Sequence, residues 1–186
     1  MLVIFTEEPS MKAFLETIIR RRYPEITLKI IAYHGKQDLE KNVARHMQNW
    51  RIPNSKFVVV HDQDNWDCVT LKNKLIAICC LAEPSVTVRI ACHELESWYW
   101  GDLAAVSTAF GKPSITALSR KRKYRVADAI ENPKSELKKH LPQYEQIAGA
   151  KAIAEHIDIT RNTSHSFRVF FRKVSEYVGT ADECQA

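Results

Sequence analysis

Three carboxylates, Asp62, Asp64 and Asp67, stand at i, i+2 and i+5 directly after the apolar residues Phe57, Val58, Val59 and Val60. Negative charge gathered at one place is costly unless a cation compensates it. Hard oxygen donors suit Mg²⁺ or Mn²⁺, which take few carboxylates and keep waters for a phosphate substrate. Asp62 and Asp64, two apart on an extended segment, can turn their side chains the same way. Asp67 has a second reading as the N-cap of the helix that follows it. More acids follow two other apolar runs: Glu7 and Glu8 after residues 2–6, and Glu94 and Glu96 after residues 86–90. Glu7 also fits a first-turn acid favoured by a helix dipole. On a helix, Glu94 and Glu96 would point about 200° apart, so one of them faces the site more easily. Glu94, nearer the strand end, is the expected one.

These acids need a frame that brings strand ends together. Residues 2–6, 27–33, 56–61 and 86–90 read as strands; the apolar runs at 2–6 and at Val58, Val59 and Val60 lack polar alternation, the mark of strands buried on both faces. Between them lie helical stretches: one opened by Pro9 and Ser10 and closed by Arg20, Arg21 and Arg22, then 38–49 and 68–81, with 92–105 after the last strand. This alternation predicts an α/β fold with a mostly parallel sheet of about four strands, flanking helices and right-handed crossovers. Ligands in such sheets bind beyond the carboxyl ends of the strands, where all the acids above would converge. Beyond residue 105 no strand is evident. A loop around Gly111, Pro113, Ser114 and Ser119 precedes helical pieces at 134–141, 144–157 and 164–178, and residues 179–186 read as a fraying tail. The expected organisation is an α/β core over 1–108 and a basic loop with a helical extension over 109–186, packed as one unit.

Basic groups supply the complementary chemistry. Arg120, Lys121, Arg122, Lys123 and Arg125 put five positive charges within six residues, a solvated loop or a contact to a nucleic-acid backbone. Lys36, after the turn at Gly35, could reach a phosphate from the end of the second strand. Lys72 and Arg168 are further phosphate candidates, Arg168 in a helix start that Ser164 would cap. His61 sits inside a buried strand and reads as a structural histidine. Trp98, Tyr99 and Trp100 read as core, with base stacking as the alternative.

Composition bounds the classes. The 186 residues carry 27 basic and 22 acidic side chains, a net charge of +5, with 45% hydrophobic and 26% charged residues. That is an ordinary globular balance, mildly basic, which permits a polyanionic partner. Five cysteines, an odd number with no C-x-x-C, predict reduced thiols in a cytoplasmic protein and no zinc site. No apolar run approaches the roughly 20 residues of a membrane span, and no signal peptide is read.

A glutamate after the first strand and Asp-x-Asp after a later central strand resemble the Toprim domain of topoisomerases, primases and nucleases of the overcoming-lysogenisation-defect type. More closely, the chain resembles a Toprim-like family of unknown function. The likeness runs through Phe5, Thr6, Glu7, Glu8, Pro9 and Ser10; His34, Gly35, Lys36, Asp38 and Leu39; and residues 62–68 with Leu71 and Lys72. It continues through Glu94, Leu95, Glu96, Ser97 and Trp98; Asn132, Pro133 and Lys134; and residues 164–168. The resemblance implies Glu7 as a general acid/base, Asp62 and Asp64 as Mg²⁺ ligands, and a partner ATPase of the ABC or AAA kind in mobile, phage-defence loci. One departure is Glu8, which stands where the pattern has a glycine in a positive-φ turn. Either this turn differs or the second acid shares the role.

The function expected from these residues is Mg²⁺-dependent cleavage of nucleic-acid phosphodiesters, with DNA, RNA and tRNA and the oligomeric state left open. One alternative is a non-catalytic Toprim-like binding module. Another is a small-molecule phosphohydrolase of haloacid-dehalogenase type, against which stands the position of Asp-x-Asp after the third strand.

Overall fold

The computed structural model describes residues 1–179. Four strands, β1 (Leu2–Thr6), β2 (Leu28–Ala32), β3 (Lys56–Asp62) and β4 (Thr87–Ala91), form one all-parallel sheet in the order β2-β1-β3-β4. The helices between them are α1 (Pro9–Arg22), α2 (Lys36–Gln48) and α3 (Cys68–Cys80). Then follow α4 (Glu96–Trp100), α5 (Leu103–Phe110), three 3₁₀ segments (Pro113–Arg120, Arg122–Tyr124, Ala127–Ala129), α6 (Pro133–His140), α7 (Gln146–Ala154) and α8 (His165–Val178). The expected parallel α/β sheet of four strands is the one found. The fraying expected of the tail concerns, apart from Gly179, residues 180–186, which lie outside the described residues.

The central strands are apolar throughout because helices cover both faces. Val3, Phe5, Phe57 and Val59 point to one side, where Leu39, Val43, Leu71 and Leu75 of α2 and α3 close the layer. Leu2, Ile4, Val58 and Val60 point to the other, into a core shared with Phe14, Trp98, Leu137 and Phe167. That second core takes in α1 and residues from α4 through α8, so the segment after residue 108 packs on the sheet domain through apolar contact.

The stretch expected as one helix at 92–105 is two. Gly101 and Asp102 interrupt it, and Asp102 caps α5 by accepting the Ala105 amide at 3.2 Å. The break has a packing cause. A Cβ on Gly101 would lie 2.1 Å from Asn162 Oδ1 and 2.8 Å from the Ser164 amide nitrogen. The 162–164 turn comes this close because Asn162 donates to the Trp98 carbonyl (2.8 Å) and Arg161 grips the buried Asp102 with two 2.8 Å bonds. The loop expected around residues 111–119 is largely 3₁₀ helix, opened by Pro113 at its first turn.

Candidate functional site

From β1 the chain steps to β2 on one side and later to β3 on the other, so the sheet's topological switch lies between β1 and β3. In open parallel sheets the crevice at the carboxyl ends of such a pair is where ligands bind. Glu7 follows β1 and Asp62 ends β3, which places both at that crevice. The register Thr6↔Val60 makes Glu7 the neighbour of His61. Both side chains are buried, and Glu7 Oε2 lies 3.1 Å from His61 Nδ1. The His61 Nδ1–H is spent on the Asp62 carbonyl, at 2.5 Å, so the Glu7 contact is one of proximity without a hydrogen bond. His61 Nε2, Glu7 Oε2 and Asp62 Oδ1 are enclosed with no hydrogen-bond partner. His61 is thus buried, as expected, but only one of its ring nitrogens is satisfied.

Burial sets the titration of the acids. It pushes the Glu7 carboxyl up, with Asp64 and Glu8 adding to the rise and His61 opposing it. It pushes Asp62 up strongly, reinforced by the charges of Glu7, Glu96, Glu8 and Asp64. Asp62 retains some exposed surface as a residue, but its Oδ1 has none. Glu96, buried and accepting the Tyr144 hydroxyl at 2.9 Å, is also raised by burial.

Glu8 lies in extended backbone (φ −132°, ψ 154°) as the residue before α1. The positive-φ glycine turn of the Toprim pattern is therefore absent here, and Glu8 is unstrained. Its carboxylate accepts Ser10 Oγ at 3.3 Å and Gln146 Nε2 at 3.5 Å.

The extended segment assumed for Asp62 and Asp64 ends at Asp62. Asp64 has φ 51° and its amide donates to the carbonyl of His93, itself at φ 56°. Two non-glycine residues with left-handed backbone bonded to each other mark this corner as locally costly, a feature that clusters at binding sites. Asp64 turns to Lys36, whose Nζ is 2.9 Å from Oδ2; that hydrogen bond raises the lysine's pKa. Asp67 caps α3, accepting the Thr70 amide and hydroxyl at 2.8 Å each.

Glu94 lies ahead of α4, not on it, so the 200° separation from Glu96 does not apply. Both carboxylates act on Lys134: burial lowers its pKa, but Glu96, Glu94, Glu8 and Asp62 outweigh it and hold it above the usual value. Glu94 also accepts the Lys134 amide at 3.1 Å. An open groove of about 560 Å³ lies here, lined by Lys36, Asp64, Trp66, His93, Glu94 and Asn132 among others. Sequence reasoning prefers Glu94 to Glu96 and gives Lys134 and Trp66 no role in the site. Their signal was their place in the segments of resemblance, 94–98, 132–134 and 62–68.

The basic residues are distributed. Arg120, Lys121, Arg122, Lys123 and Arg125 are exposed. Lys123 is 2.7 Å from Glu136, and together with Lys139 it holds that carboxyl down to about 2. A second groove, lined by Lys123 and Glu136, shares Glu131 and Asn132 with the first, so a continuous surface runs from the 120–125 segment to the acids. Lys72 is exposed on α3. Arg168 is half-buried in the first turn of α8, whose N-terminus is capped by Ser164 and meets the end of β4 where Cys92 N donates to Ser166 Oγ (3.3 Å). Trp98, Tyr99 and Trp100 are core, at most 2% exposed, which removes them as stacking surfaces.

Among the described residues, no group of three or more His, Cys, Asp or Glu side chains is arranged to hold a metal ion. Nor does any helix among them have the length and apolarity to cross a membrane.

Residues 6–175 match a family described as Domain of unknown function (DUF4276). Among solved structures, the chain is similar to the C-terminal region of the Burkholderia pseudomallei OLD protein, at 15% identity and a TM-score of 0.51, covering 95% of this chain and 96% of that one. It is also similar to the C-terminal region of the Xanthomonas campestris pv. campestris OLD protein, at 15% identity and a TM-score of 0.50, covering 95% and 93%. At this identity the likeness establishes a shared fold. No curated protein matches the chain significantly.

Proposed function

This chain belongs to the DUF4276 family, a domain of unknown function, and from its site we propose that it is a Mg²⁺- or Mn²⁺-dependent nuclease cleaving phosphodiesters of DNA or RNA. The observation that carries this reading is Asp62. It sits at the switch point of the sheet with Oδ1 enclosed and unbonded, and its pKa is driven up by burial and by the carboxylates around it. A cation relieves such a group. The hard oxygen donors present suit Mg²⁺, which needs no three-residue cage because it takes one or two carboxylates and keeps waters.

Asp62 and Asp64 are the residues that would hold the ion, with Glu94 at the rim. When bound, the ion would neutralise phosphate charge and stabilise the leaving oxygen. Glu7, whose raised pKa suits it to accept and return a proton, would act on the attacking water, with Glu8 as the second candidate. Lys36 and Lys134 bring positive charge to the phosphate, and the 120–125 segment holds the backbone beyond it. The fold shared with the OLD C-terminal regions supports the Toprim reading at the level of architecture. Control by an ABC- or AAA-type ATPase partner, a phage-defence setting and a cytoplasmic location belong to the same proposal and rest on the sequence resemblance.

One observation favours a second reading, a non-catalytic binding module: Lys36 already pairs with Asp64, giving the acidic edge a cation of its own. Cleavage assays on plasmid, single-stranded DNA and RNA with Mg²⁺ or Mn²⁺ decide between them, comparing wild type with Asp62→Ala and Glu7→Ala. Cleavage lost in both variants supports the nuclease. Cleavage unaffected by Asp62→Ala overturns the mechanism, and an inert wild type, with and without an ATPase partner, favours the module.

A further inference from the structure

A tryptophan held in the open beside an acidic crevice calls for a reason. Trp66 is 48% exposed, while Trp98 and Trp100 are buried in the core. It lines the groove that also holds Lys36, Asp64 and Asn132. Its backbone is fixed. The Trp66 amide donates to the Gln63 carbonyl at 3.1 Å, and Gln63 Nε2 donates to the Trp66 carbonyl at 2.9 Å. The helix that follows is capped at once by Asp67. Lys74 Nζ lies 5.4 Å from the ring centroid and is anchored by Glu40 at 2.7 Å, so one side of the ring carries a cation. The indole is thus an open aromatic surface two residues from Asp64, carried on a hydrogen-bonded backbone, with amide side chains at Asn65 and Asn132 beside it.

We propose that Trp66 is a base-stacking platform, and hence that the preferred ligand is a nucleic acid with an unpaired base, a single strand in place of a closed duplex. The proposal rests on the reading of this groove as a nucleic-acid site. Every base has a π-face, and stacking on an exposed aromatic is tolerant of sequence. A base paired inside a duplex is already stacked and cannot use the surface. The base would take the face that Lys74 does not, while Lys36 lies on the same groove for the adjoining phosphate. Trp66 touches the base and not the reacting atoms, so it acts on specificity and affinity.

The test uses the full chain, a labelled oligothymidylate and a blunt hairpin duplex of equal length. Affinities are measured by anisotropy in EDTA, and kcat and KM with Mg²⁺. Trp66→Ala should weaken single-strand binding about tenfold or more and raise KM for that substrate with kcat little changed. Trp66→Phe should restore most of the loss, and duplex affinity should stay as in wild type. Melting curves confirm that the exposed substitution leaves the fold intact. Cleavage by wild type with Trp66→Ala indistinguishable on both ligands overturns the stacking role alone, leaves the nuclease standing and hands Trp66 to a protein contact. Equal weakening on both ligands also overturns it. Trp66-dependent single-strand binding without any cleavage, with and without an ATPase partner, supports the platform and favours the binding module over the nuclease. A wild type that binds neither ligand overturns the platform, and one that also cleaves neither with Mg²⁺, with and without an ATPase partner, overturns the nuclease as well.

Discussion

Replacing Asp62 by asparagine should stabilise this protein when divalent ions are absent. The side chain keeps its shape but loses a charge placed where the fold does not welcome one. Asp62 Oδ1 is enclosed without a donor, and burial together with Glu7, Glu96, Glu8 and Asp64 raises its pKa well above the ordinary aspartate value. Asp62→Asn leaves a polar atom in that place but removes the charge, so above both pKa values it should recover about 1.4 kcal/mol for each unit by which folding raises the pKa; for a chain of this length that corresponds to a rise in Tm of about 2–4 °C per kcal/mol. The pH dependence follows from the same shift. Because the folded state holds this proton more tightly than the unfolded one, the contribution of Asp62 to stability is greatest at low pH. It falls as pH climbs from the usual aspartate range through the raised folded pKa. Glu7 and Glu96, also raised, act in the same direction. Thermal and urea unfolding in EDTA from pH 5 to pH 8 should therefore show wild type losing stability with pH and Asp62→Asn losing less. Mg²⁺ or Mn²⁺ at 100 times its Kd should return about 2.7 kcal/mol to wild type at pH 8 and nothing comparable to the variant. An Asp62→Asn protein less stable than wild type at pH 8 in EDTA would refute the reasoning, because Asp62 would then be a well-satisfied structural acid.

Other substitutions separate packing from chemistry. Gly101→Ala should destabilise by about 1–3 kcal/mol, since its Cβ would meet Asn162 Oδ1 at 2.1 Å; a denaturation midpoint unchanged from wild type would mean that the 162–164 turn yields freely. Asp102→Ala removes the acceptor for the Ala105 and Asp158 amides and for Arg161. It should cost about 1–3 kcal/mol for each amide left buried without a partner, readable in urea unfolding, with Arg161 rehydrated because its side chain is half exposed. Asp67→Ala removes the cap of α3 and should lower Tm slightly while leaving kcat for cleavage as in wild type; a collapse of kcat would return Asp67 to the metal.

Much of the frame was legible because short-range signals carry it. Unbroken apolar runs at residues 2–5 and 57–60, short and rich in β-branched residues, read as strands covered on both faces, and Pro9 and Asp67 start helices by local chemistry alone. That acids follow three strand ends is likewise a property of order along the chain, and a parallel sheet gathers those ends at one edge. Where structure and sequence part, a regular element stops short of its expected end. Asp64, expected in extended backbone, lies in left-handed backbone tied to His93, a contact between the ends of β3 and β4 that spans some thirty residues. Glu94 and Glu96, expected on one helix, are divided because the helix begins at Glu96 and breaks at Gly101.

The sequence by itself therefore determined the parallel α/β sheet, its buried central strands and the acids that end them, since periodicity and charge order are written locally. Only the tertiary structure decided how those acids are used. It set Glu7 against His61, Asp64 against Lys36, and Glu94 and Glu96 around Lys134, and it buried Trp98 and Trp100 while leaving Trp66 open on the groove. The Glu7 and Asp64 contacts follow from strand register and from the corner that ties Asp64 to His93, and the surroundings of Lys134, Trp98 and Trp100 from where the C-terminal helices dock. They are settled by long-range packing and the desolvation it imposes, which no local window of sequence contains.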